Sequence, residues 1–210
     1  MFAGASSFRG PLSNWTTSSL SEMDQMFWES YSFDSDLNFD LTYVKNLSLV
    51  FTNASSFTGN ISNWDVSRVE DMFHTFSNAT SFNSDISGWN TSAVKSLWGT
   101  FENTALFNQP LSSWDTSSVE DFESVCFCAH SSTINNCWEA LVSQHVVFML
   151  YFTQCFQGAV NFNQPLDSWN VSTAKIMSKM FQDARSFSQA SMGAPLICLF
   201  GNLTRAHSSK

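Results

Sequence analysis

FSNATSFNSDISGWNTSAVKSLWGT, from Phe76 to Thr100, decides the fold, because almost the whole chain is written in copies of it. Its first Phe recurs at Phe2, Phe27, Phe51, Phe76, Phe101, Phe156 and Phe181, at gaps of 25, 24, 25, 25, 55 and 25. A second Phe follows six residues later each time, from Phe8 and Phe33 to Phe162 and Phe187. A unit of about 25 residues cannot bury its own apolar face, so the copies must stack on one another.

Counted from the first Phe, the other columns are equally regular. The fourth is small, as in Ala54, Ala79 and Thr104. The eleventh is Leu or Ile, as in Leu37, Ile61 and Ile86. The fourteenth is Trp15, Trp64, Trp89, Trp114 or Trp169. In the second copy one residue is missing and Phe39 takes the tryptophan's place. A side chain kept at one column through the array reads as core rather than as an exposed row.

Columns 19, 22 and the next 1, such as Val69, Met72 and Phe76, are spaced by three or four, which predicts a short helix over 67–76. Ser19-x-x-Glu22, Ser67-x-x-Glu70 and Ser117-x-x-Glu120 match a capping box before it. The stretch from column 7 to column 14, as in 57–64 and 107–114, carries turn residues and then a short extended piece. The expected architecture is an α/β repeat solenoid, with short parallel strands on one side and short helices on the other.

The text Ser-Phe-Asn-x-x-Ile/Leu-Ser-x-Trp-Asp/Asn-x-Ser-x-Val-x-x-Met, which stands at 81–97, 106–122 and 161–177, resembles the BspA-like surface-protein repeat. That repeat also occurs in mycoplasma-type lipoproteins and in large arrays in marine protists. The resemblance implies a leucine-rich-repeat-like coil outside the cell or at its surface, used for adhesion or binding. It hands down no catalytic residue.

By this reading the array fills 1–125, with units starting at Phe2, Phe27, Phe51, Phe76 and Phe101, and resumes over 156–189. Removing 126–155 joins Val125 to Phe156 in correct register. An in-frame retained intron explains that register; the alternative is a loop insertion, whose closure costs roughly 3 kcal/mol. The segment holds Cys126, Cys128, Cys137 and Cys155. Cys126, Cys128, His130 and Cys137 make a poor zinc set, lacking the two-residue spacing of a zinc knuckle. The run 146–152 is too short for a membrane helix. Residues 190–210 leave the pattern as a tail, so the last unit is partial and end-to-end self-association is expected. No secretory signal is visible, and Met1-Phe2 falls where Met26-Phe27 falls in the next copy.

A formal charge of −9 and the lack of any Lys/Arg run argue against nucleic acid as partner. No Ser-His-Asp set, carboxylate pair or phosphate loop stands at a meaningful spacing, so neither enzyme activity nor a cofactor is expected. Asp40, Asp65 and Asp115 share column 15 with Asn90 and Asn170, which suits turn residues better than a calcium ladder. His74 is expected at an exposed helix position. Asn14, Asn53, Asn78, Asn90 and Asn170 are candidate glycosylation sites, as Asn-x-Ser/Thr sequons. The function these readings support is a non-enzymatic surface or secreted module that binds protein or glycan through one face. The alternative is a structural spacer within a larger surface protein.

Overall fold

The computed structural model describes residues 1–125, together with 179, 182 and 183. The expected insertion at 126–155, most of the resumed array over 156–189 and the tail at 190–210 lie outside the described residues. Within 1–125 the copies stack in register, and each backbone contact between them spans about one repeat. The α/β solenoid of strands and helices is nevertheless overturned. Among the described residues there is no helix, and strand pairing is confined to single parallel bridges, Asn46 to Asp71, Asp71 to Ser96 and Ser96 to Asp121.

Tandem turns replace the helix. Val50 N–H donates to Leu47 O at 3.3 Å and Ala54 N–H to Phe51 O at 2.9 Å, each bond closing a four-residue turn. The third residue of each turn is left-handed, Leu49 at φ 61° and Asn53 at φ 62°, as a type II turn requires. The same position holds His74 at 49°, Asn78 at 58°, Gly99 at 62° and Asn103 at 53° in the next two copies. Tandem turns repeat their inward residues every three or four positions, which is the spacing of the expected helical stripe. The capping boxes dissolve for the same reason. Glu70 N–H donates to Lys45 O of the preceding copy at 2.8 Å, and Ser117 N–H to Asp115 Oδ1 at 2.9 Å.

The other amides run between copies. Leu47, Leu49, Phe51 and Asn53 donate forward to the carbonyls of Asp71, Phe73, Thr75 and Ser77, at 2.8 to 2.9 Å. The carbonyls of Ser48, Val50 and Thr52 accept from Gln25, Phe27 and Glu29 of the preceding copy. A carbonyl and the next N–H belong to one planar peptide unit. Those units therefore align along the stack with C=O facing back and N–H facing forward, the alignment that gives a helix its dipole. Each peptide group thus finds partners without a regular strand.

Side chains complete the core as continuous columns. Phe2, Phe27, Phe51, Phe76 and Phe101 stack at 5.5 to 5.8 Å, nearly parallel. Phe8, Phe33, Phe57, Phe82 and Phe107 form a second row at 5.6 to 6.0 Å. Phe39 stacks on Trp64 at 6.4 Å, standing in the tryptophan row as its sequence position implies, and Trp64, Trp89 and Trp114 continue the row at 6.1 and 6.2 Å. Each of these three indoles also donates its N–H to the column 11 carbonyl of the preceding copy, Leu37, Ile61 and Ile86 respectively. Trp15, in the first copy, is 43% exposed. Buried hydroxyls are used in the same way: Thr75, Thr100 and Thr104 donate to the carbonyls of Leu47, Met72 and Phe76.

Candidate functional site

Along the outside of the stack, polar side chains hold the turns. The carboxylates of Asp40, Asp65, Asp85 and Asp115 accept backbone N–H groups two residues on, from Thr42, Ser67, Ser87 and Ser117. Hydrogen bonds from those residues keep all four carboxyls below their usual range, with the hydroxyl contributing most. Asn90 Oδ1 serves Ser92 in the same manner. Asp40, Asp65, Asn90 and Asp115 thus make column 15 a row of turn-forming acceptors, and Asp85 does the same from column 10. Among the described residues no group of three or more His, Cys, Asp or Glu is placed to hold a metal ion. Among the described residues no helix is long and apolar enough to cross a membrane.

The candidate glycosylation sites fall into two kinds. Asn14 and Asn90 are exposed. Asn53 and Asn78 are half-buried and left-handed, and Asn78 Oδ1 accepts from Asn103 Nδ2 at 3.1 Å, so that amide is engaged in the stack. Asn170 lies outside the described residues. Other between-copy pairs bind the flank in the same way, with Asn63 Nδ2 donating to Asn38 Oδ1 and Thr58 to Asp34.

Two clusters stand out from this hydroxyl and amide surface. The first is aromatic. Phe73 and Trp98 occupy one column in adjacent copies and meet edge to face at 5.3 Å. His74 lies edge to face with Phe73 at 4.3 Å, and its Nδ1 is 3.1 Å from Glu102 Oε2. Ser77 Oγ donates to the same oxygen. The position of His74 is therefore corrected: it is half-buried in a left-handed turn, not exposed on a helix. Its ring has room because the next copy carries Gly99, where a Cβ would fall 2.4 Å from His74 Cε1. Trp98 remains 36% exposed. Glu123 continues the column, its carboxyl pushed up by burial and by the charge of Asp121.

The second cluster is ionic. Glu70 accepts from Lys45 Nζ at 2.8 Å and from Lys95 Nζ at 2.6 Å, each lysine one copy away. Both hydrogen bonds and both charges pull its carboxyl down to about 2. Arg68 reaches Thr42 O at 3.4 Å. Together they line an open groove of about 390 Å³.

The family model described as "Mycoplasma protein of unknown function, DUF285" matches residues 1–42, 37–139 and 142–193. The chain belongs to this family. No curated protein and no solved structure matches. For this DUF285 member the family carries no assigned activity, so function has to be argued from the two clusters. Both have a signal in the sequence, legible only once the copies are aligned. Phe73 and Trp98 are large residues 25 apart in a column otherwise held by Asp24, Ser48, Glu123 and Ser178, and Lys45, Glu70, Lys95 and Glu120 alternate in sign at one column.

Proposed function

We propose that this DUF285 chain is a non-enzymatic interaction module of a surface or secreted protein, binding protein or glycan through the flank that carries Phe73 and Trp98. The edge-to-face pair of half-buried Phe73 and exposed Trp98 carries the reading. A partly exposed Trp beside a second aromatic, with the His74–Glu102 pair next to them, is the composition of a binding anchor: a large rigid apolar surface with polar groups to orient a ligand. Core packing does not require it, since the same column holds Ser48 in an earlier copy. The BspA-like text in the repeats supports a location at or outside the cell surface.

A glycan and protein array probed with the full chain tests this. Reproducible ligands lost in Trp98→Ala, with the melting temperature unchanged, support the module. Silence across broad libraries favours the structural spacer, while ligands indifferent to Trp98→Ala would move the binding face away from this flank.

A further inference from the structure

Residues 1–125 contain four Lys or Arg residues against fifteen Asp or Glu. Three of the four, Lys45, Arg68 and Lys95, converge on one groove, where Glu70 is the only carboxylate in the lining. The groove is a cationic spot on a strongly acidic surface. We infer that it binds the acid groups, sulfate or carboxylate, of an anionic polysaccharide; this rests on the reading of the chain as an interaction module and names its ligand class.

The hydrogen-bond stoichiometry leaves the cations available. An ammonium has three donors and a guanidinium five. Lys45 and Lys95 each spend one on Glu70, and Arg68 makes one long bond to Thr42 O. The lysine side chains stay 64% and 57% exposed while paired. Glu70 draws both ammonium groups toward one point, so the lining carries three cations against one carboxylate, with Asp65 flanking it through its bond to Ser67. Glu120 adds a weaker negative influence at Lys95.

The lining also selects between classes of partner. Its remaining residues are Ser67, Ser118 and Ala93, with no aromatic or branched aliphatic side chain. A protein partner would lack the buried apolar anchor that dominates such interfaces. A sugar ring needs less: a hydroxyl partner from Ser118, an acceptor oxygen from Ser67 (whose hydroxyl is already held by Asp65), a small apolar floor from Ala93 and the lysine stems, and cations for its acid group. A volume of about 390 Å³ falls within the range of ligand sites. Because the rest of the described surface is acidic, a polyanion that binds would bind here.

Calorimetry with the full chain tests the inference, using dextran sulfate and polygalacturonate as probes, against neutral dextran and polyglutamate. One or both acidic polysaccharides should bind, their difference telling sulfate from carboxylate, and neutral dextran should not. Arg68→Gln should weaken binding roughly tenfold. Glu70→Gln, which removes the competing carboxylate, should tighten it several-fold, with near-UV circular dichroism unchanged in both. Failure of both acidic polysaccharides to bind overturns the inference, as does weaker binding by Glu70→Gln. Polyglutamate binding as tightly as the polysaccharides overturns the ligand class. A Trp98-dependent array ligand alongside silent polysaccharides would remove the groove and leave the interaction module standing.

Discussion

Replacing Trp89 by Ala should cut deeper than any other single truncation in the stack. Its indole is 2% exposed and lies between Trp64 at 6.1 Å and Trp114 at 6.2 Å, with interplanar angles of 6° and 10°. Truncating a buried Trp costs about 3–5 kcal/mol through lost burial and the cavity left behind. The Ile61 carbonyl, which accepts from Nε1 at 3.2 Å, also loses its indole partner. Trp89→Phe separates the two terms: a ring remains, the donor goes, and the loss should be about 1–2 kcal/mol. Trp15→Ala is the internal control. That side chain is 43% exposed, so its loss should be about 1 kcal/mol. Urea unfolding followed by near-UV circular dichroism reads all three. With a slope near 2 kcal/mol per molar, the Trp89→Ala midpoint should fall by roughly 2 M. Equal losses for Trp89→Ala and Trp15→Ala, with unchanged slopes, would refute the claim that stacking and the indole donor together hold the copies in register.

Glycine positions give a graded set. At Gly59 a Cβ would lie 2.1 Å from the Ser35 carbonyl oxygen of the preceding copy, so Gly59→Ala should cost about 3 kcal/mol; Gly88→Ala, with nothing within 4 Å, should be near neutral in the same urea titration. Gln25 is exposed and left-handed at φ 56°. Gln25→Asn should therefore stabilise by about 0.5–1 kcal/mol, and a lower urea midpoint would count against the turn assignment. Acid should weaken the fold. Glu70, Asp40, Asp65, Asp85 and Asp115 all have folded pKa values below the ordinary 4.5 of Glu and 3.8 of Asp. Their contribution is complete above those values and is lost as pH falls toward about 2, the folded value at Glu70. Glu123, raised by burial, pulls the other way above its unfolded value. Thermal melts from pH 6 to 2.5 should show falling stability below pH 4.5, less steeply in Glu70→Gln; a melting temperature that climbs on acidification contradicts the assignment.

Much of the packing was legible in the residues themselves. The Phe columns, the small fourth column, the Trp row and the substitution of Phe39 into it are spacing statements, and the side chains meet at those spacings. Column 15 was also readable as turn chemistry, because Asp and Asn bind the backbone two residues on. The two clusters were only half legible. Their one-repeat spacing stood in the sequence, but an aromatic at 73 and another at 98 become neighbours only when a copy is known to lie directly on the next.

What the sequence determined alone was the period, the stacking and the core. It could not decide the backbone inside each unit. A helix and a run of type II turns both return a side chain to the core every three or four residues, and both begin with Ser, Asp or Asn. The choice between them depends on where the N–H groups go. In a helix they close on the residue four back; here half of them close short turns, as Ala54 does on Phe51, and the others reach the next copy, as Phe51 does to Thr75. Those partners lie 24 or 25 residues away, so the tertiary stack supplies the bonds that the local sequence leaves open.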